Sequence, residues 1–161
     1  MSAVTVASRL VFAHIPQFKP IIAVVIITAA VFGAESGFLC GTTAMFVSNL
    51  FFGHGPYTPW QMFCCGAIGF LAGVLAQKGL LSSKALLSLF GFAAGFIFGA
   101  VVDILTVIMY TPQITAQSIL GIYIAGFWFN LVLAVATSLF LYIAGQPMIK
   151  KITRIKNKYG I

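Results

Sequence analysis

Apolar residues run along this chain in unbroken blocks, separated by short clusters of polar residues, glycine and proline. The blocks cover 1–15, 21–32, 38–52, 60–76, 85–110 and 118–144. A block that is apolar on every side predicts a helix surrounded by lipid or by other helices, whereas a transmembrane β-strand would alternate apolar and polar positions. The last two blocks are long enough to cross about 30 Å of hydrocarbon at about 1.5 Å per residue. The first is interrupted by Arg9 and closed by Pro16 and Pro20, and it predicts a short, shallow helix. The breaks fall at a turn over 33–37 with Glu35 exposed, a glycine–proline loop over 53–59, a basic loop over 77–84, a turn over 111–113, and 145–147, where the chain is released into a tail.

Composition turns this pattern into a class. Hydrophobic residues make up 61% of the chain and charged residues only 7%, against roughly 25% charged in ordinary soluble domains. So little polar surface cannot coat a water-soluble particle of this size. The expected fold is an all-α integral membrane protein, a six-helix transmembrane bundle with a short first helix. One transmembrane domain occupies 1–146 and a basic tail 147–161.

The net charge of +7 is unevenly spread, with Lys150, Lys151, Arg154, Lys156 and Lys158 crowded into the tail. Basic residues just beyond a span stay in the cytoplasm, and they are also attracted to anionic lipid head groups. The tail therefore predicts membrane lipids as partners and no nucleic acid. Six helices put both termini on one side, here the cytoplasmic one. The turn over 33–37 and the loop holding Lys78 and Lys84 are then cytoplasmic too, and the proline-rich loops over 14–20, 53–59 and 111–116 face outward.

Small residues recur every four positions at Ala3/Ala7, Gly37/Gly41, Gly69/Gly73, Gly91/Gly95/Gly99 and Gly121/Ala125. That spacing stacks small side chains on one helix face and lets backbones approach closely. Most such faces serve packing inside the bundle. A face at Ala3 and Ala7, on a peripheral helix, suits docking of a partner's helix as well.

The stretch over 48–62 joins two apolar blocks through a stiff, aromatic loop. Gly53, Gly55, Pro56 and Pro59 break any helix there. Asn49, Tyr57, Trp60 and Gln61, with Tyr110, Gln113, Gln117 and Tyr123 at the same end of other helices, outline an aromatic, amide-rich pocket. Such a pocket suits a flat organic molecule with a polar edge. Tyr57 and Trp60 also suit an interfacial aromatic belt. His54, and His14 on the same side, are candidates for ligand contact or simply solvated. Ionisable groups inside a membrane are costly unless paired and mark functional sites; Arg9 and Asp103 are the two here. Arg9, or Asn130 with Trp128, is the candidate partner of Asp103, either in a structural pair or lining a polar cavity.

Enzyme signatures are missing. The chain has no phosphate-binding glycine loop, no His-Glu-x-x-His and no nucleophile–base set. Its two carboxylates are too far apart in the pattern for acid–base work. Cys40, Cys64 and Cys65 lack Cys-x-x-Cys spacing and sit in apolar blocks, so they read as small buried hydrophobes, with no metal site and no cofactor expected.

Lys19-Pro20 entering an apolar helix, the turn over 33–37, the run Ser-Asn-Leu-Phe-Phe-Gly-His-Gly-Pro-Tyr-Thr-Pro-Trp-Gln-Met at 48–62 and Gly-Phe-Leu-Ala-Gly at 69–73 together resemble the substrate-binding S components of energy-coupling factor (ECF) vitamin transporters. The resemblance spans about 3–144. It implies a bacterial plasma-membrane protein that binds a micronutrient under its outer loops. It also implies docking onto a transmembrane coupling subunit with two cytoplasmic ATPases, through an Ala-x-x-x-Ala face that Ala3 and Ala7 match. Asp103 and Asn130 fall where such proteins carry polar residues. The motif group suggests a cobalamin-like corrinoid or a queuosine-type deazapurine as ligand. The competing class is a self-contained secondary transporter or channel for a small organic solute, against which stand the lack of an inverted repeat and the shortage of membrane carboxylates. A membrane enzyme would need a clustered polar site on the cytoplasmic or interfacial side, and the pattern holds none.

Overall fold

A computed structural model describes residues 1–12, 14–15, 18–110 and 115–160, with the side chain of Tyr110 excluded. The described residues form helices α1 (Ser2–Val11), α2 (Ile21–Phe32), α3 (Ala34–Phe52), α4 (Thr58–Gln77), α5 (Lys84–Tyr110), α6 (Ala116–Phe140) and α7 (Gln146–Tyr159), with a π-helical turn at Leu141–Gly145 joining the last two. No strand occurs among them. Among the described residues three stretches are long and apolar enough to cross a membrane: Thr58–Gln77, Lys84–Met109 and the continuous Ala116–Tyr159. At 12 residues α2 rises only about 18 Å, and α1 is shorter still. Helix α3 has the length but carries Glu35, Thr42, Thr43, Ser48 and Asn49.

Helix α2 is the hub. Ten of its twelve residues are buried, and it packs against every other helix. Its sequence, IIAVVIITAAVF, has no polar face because no side of it meets water, and Thr28 turns its hydroxyl back to the Val24 carbonyl at 2.8 Å. Around it stand two tight hairpins, α3 with α4 and α5 with α6.

Glycine sets the closeness of both hairpins. A Cβ added at Gly37 would lie 2.6 Å from the Gly69 carbonyl oxygen, and one at Gly41 equally close to that of Cys65. At Gly95 it would meet the Ala134 backbone at 2.8 Å. These helices touch backbone to backbone, which small residues alone permit. Gly121, by contrast, has open space around it, so the Gly121/Ala125 spacing does not pack a helix here.

Three boundaries differ from the sequence expectation. The turn expected over 33–37 shrinks to Gly33, whose φ of +95° closes α2 and opens α3. Ala34, Glu35 and Ser36 then form the first turn, where the Glu35 carboxylate faces the positive end of the helix dipole. Helix α4 starts at Thr58, with Pro59 in its first turn, where the missing N–H costs nothing. The expected release at 145–147 is instead a π-turn running straight into α7. Pro147 cannot accept a regular turn before it without striking the carbonyl four residues back, and the widened turn relieves that clash.

The turn at Gly33, the connection over 78–83 and α7 share one end of the bundle. Gln146 Nε2 donates to the Ser82 carbonyl at 2.9 Å, and Lys156 Nζ to the Val31 carbonyl at 3.0 Å. The connection between α1 and α2 packs on the bundle through Phe12 and Phe18, whose rings lie 5.4 and 5.5 Å from that of Phe140. Pro16, Pro112 and Gln113 lie outside the described residues.

Candidate functional site

Asn49 is 1% exposed and joins three elements. Its Nδ2 donates to Thr58 Oγ1 at 3.1 Å and to Gln61 Oε1 at 3.0 Å in α4, and its Oδ1 accepts from Arg9 Nη1 of α1 at 2.8 Å. Every hydrogen-bonding atom of this buried amide is used, as burial demands. The loop over 53–57 is drawn onto the same network, since Thr58 Oγ1 also accepts from the Gly55 N–H at 3.3 Å. Tyr57 reinforces the loop by donating to the Gly53 carbonyl at 2.8 Å.

Arg9 is therefore not the partner of Asp103. Its Nη1 donates to Asn49 and to Ser48 Oγ, and lies 3.6 Å from Met45 Sδ. Among the described residues its hydrogen bonds all leave from Nη1, and Nη2 and Nε find no partner there. The guanidinium carbon sits 4.8 Å from the centroid of the Phe52 ring, and Lys19 Nζ lies 4.7 Å from that same centroid. Two cations thus converge on one aromatic ring. The Lys19 pKa is lowered, first by burial and then by the charge of Arg9.

Asp103 pairs with Asn130 instead. Asn130 Nδ2 donates to Asp103 Oδ2 at 2.5 Å, joining α5 to α6. Two glycines make room for the pair. A Cβ at Gly126 would stand 2.5 Å from Asp103 Oδ2, and a side chain at Gly99 would collide with the Asn130 amide. Trp128, the other proposed neighbour, is 69% exposed and points away from the bundle.

These groups face one cavity of about 250 Å3. Arg9, Lys19, Gln61, Asp103 and Asn130 are its polar lining, and Ile22, Met45, Phe98, Val102, Phe129 and Leu133 its apolar lining. A second cavity of about 270 Å3, between Tyr57, Gln61, Val102, Leu105, Thr106 and Met109, shares Gln61 and Val102 with the first. The combination offers opposite charges, amides and apolar side chains around connected space.

Of the residues expected at the site, Gln61, Asp103 and Asn130 line the first cavity, Tyr57 lines the second, and Asn49 holds Arg9 and Gln61 from behind. His54 lines neither cavity: its ring rests 5.3 Å from that of Phe46, in a groove on the outer side of α3 and α4, and its Nδ1 lies 3.4 Å from Thr58 Oγ1 at the edge of the Asn49 network. Trp60 is 49% exposed and lines neither cavity. Gln117 is exposed, and Tyr123 donates to the Ala100 carbonyl at 3.3 Å. The side chain of Tyr110 lies outside the described residues. Lys19 and the two glycines went unrecognised in the sequence. Lys19 stands alone beside proline, and the role of each glycine appears only when the facing helix is known.

Residues 1–154 match the family model described as "ECF-type riboflavin transporter, S component". The chain belongs to that family. No curated protein and no solved structure matches it. As an S component it is a substrate-specific membrane subunit of an ECF transporter, a class of vitamin uptake system and not a family of enzymes. Membership brings a small-molecule substrate and the ECF module as partners. The family description names riboflavin, and neither a corrinoid nor a queuosine precursor.

Proposed function

We propose that this S component captures riboflavin, or a closely similar flavin, in the paired cavities beneath the loop over 53–57. The observation that carries this is the convergence of Arg9, Lys19, Gln61, Asp103 and Asn130 on one cavity that Phe98, Val102 and Phe129 also line. A flavin is a flat, three-ring apolar plate with an edge of alternating carbonyl acceptors and an imide donor, plus a polyol chain. The free nitrogens of Arg9 and the ammonium of Lys19 suit the carbonyls. The carboxylate of Asp103 suits the imide N–H or the polyol hydroxyls. The second cavity, walled by Tyr57 and Thr106, extends the space toward the size range of about 300–1,000 Å3 usual for such ligands. A corrinoid, several times larger and non-planar at its axial positions, fits this space poorly.

In this arrangement the six helices α1–α6 form the membrane bundle, with the short α1 and α2 completed by their neighbours. The end bearing Gly33, the connection over 78–83 and α7 faces the cytoplasm, because it holds Lys78, Lys84 and the cations of α7. Ala3 and Ala7 are both exposed on α1, while Thr5 and Val6 between them are buried. That leaves a small-residue face free for a helix of the coupling subunit, whose two ATPases supply the energy this chain has no means to provide.

The test is titration of riboflavin into the purified full-length protein, read by quenching of flavin fluorescence. Saturable one-to-one quenching that is lost in Asp103→Ala and Asn130→Ala is the expected result. Absence of quenching, with a corrinoid or a deazapurine binding instead, would overturn the assignment.

A further inference from the structure

Helix α7 carries two surfaces with different work. Met148, Ile149 and Ile152 pack onto the bundle core. Lys156 lies on that side too, donating to the Val31 carbonyl at the end of α2 with its Nζ 5.4 Å from the Phe32 ring centroid. It caps a carbonyl that the Gly33 break leaves without a helical partner. On the opposite side Lys150, Arg154 and Lys158 recur every four residues and so form one line, with Lys151 beside it, and all four are exposed. Along one flank of this line Ile155 and Tyr159 are 54% and 67% exposed. Tyr142 and Ile143, one turn before α7, are exposed as well.

We propose that this outer face of α7 is a binding surface for anionic phospholipid head groups. Helix α7 continues directly from the membrane-crossing α6 through the π-turn, so its first residues sit at head-group level. A line of four cations next to exposed Ile and Tyr is the surface of a helix that lies against charged lipid, the phosphates on the cations and the apolar side chains at the acyl boundary. No acidic residue lies on α7 to neutralise the line. Lys156 takes no part, because its ammonium is held at the end of α2. The surface is independent of which vitamin the cavity accepts.

The experiment is native mass spectrometry of the delipidated full-length protein, alone in neutral detergent, titrated with phosphatidylglycerol or phosphatidylcholine. The wild-type chain is expected to retain phosphatidylglycerol preferentially, and added salt should weaken the preference. Each cation removed is expected to reduce it by about fivefold, so that K150Q/K151Q/R154Q/K158Q, or the milder K151Q/K158Q should the first fold poorly, loses most of it. Replacement of the three lysines by arginine should keep the preference, and so should K156Q, although K156Q should melt at a lower temperature. Equal retention of the two lipids by the wild type, or a preference that survives in the glutamine variants, would overturn the proposal. A wild-type chain indifferent to lipid charge, whose glutamine variants lose only their capture by the coupling ATPases, would assign the line to an acidic protein surface and overturn it equally.

Discussion

Gly126 stands directly across from Asp103, leaving its carboxylate the space that a methyl group would occupy at 2.5 Å from Oδ2. The carboxylate can therefore reach Asn130 and the cavity at once. Gly126→Ala should push Asp103 out of place and weaken riboflavin binding by about tenfold, or about 1.4 kcal/mol. Gly121→Ala on the same helix, with open space around it, should change nothing. Isothermal titration of both variants checks the pair, and equal affinities would remove the role given to Gly126.

Arg9 ties α1 to α3 and donates from one nitrogen while two remain for the cavity. Arg9→Ala leaves the buried Asn49 carbonyl without its donor and should destabilise the fold by about 1–3 kcal/mol. Arg9→Lys can restore one donor but not the second set, so it should recover melting temperature more fully than riboflavin affinity. A lysine variant that binds as tightly as wild type would show that Arg9 is purely structural.

Asn49→Ala and Trp60→Ala separate the cavity from the membrane belt. The first removes the support of Gln61 and Arg9 and should lower both stability and affinity. The second removes a ring that lines neither cavity and should leave affinity within about twofold, a difference of only about 0.4 kcal/mol. Strong loss of binding in Trp60→Ala, with normal melting, would move the ligand toward the outer loop.

Overpacking the α3–α4 contact should be costly wherever glycine meets backbone. Gly37→Ala or Gly69→Ala is expected to lose about 1–3 kcal/mol, measured as reduced thermal stability in detergent, because neither carbonyl can yield without parting the helices.

Ala3→Trp combined with Ala7→Trp should leave flavin binding unchanged, since both side chains point away from the cavity. Uptake in cells carrying the coupling subunit and ATPases should fall to background. Normal uptake would refute the docking face on α1.

The class of this protein needed no coordinates. Unbroken apolar blocks, scarce charge and a basic tail admit only lipid-embedded helices, because a backbone in hydrocarbon must satisfy its own hydrogen bonds. The same blocks bounded α2, α5 and most of α6, and the run over 48–62 pointed to a ligand-binding subunit without identifying its ligand. Helix ends were less legible. Gly37 suits both the end of a turn and, with Gly41, a close-packing face; the folded chain places it near the start of α3 against Gly69, and nothing local distinguishes a glycine that bends a chain from one that admits a neighbour. The partner of Arg9 was equally hidden. Asp103 offered the opposite charge, yet the packing of α1 on α3 placed the guanidinium beside Ser48 and Asn49 and left the carboxylate to Asn130. Hydropathy along a chain records how much of each helix avoids water. Which side chains meet depends on rotation and distance between helices, and the glycine contacts of the folded bundle set both.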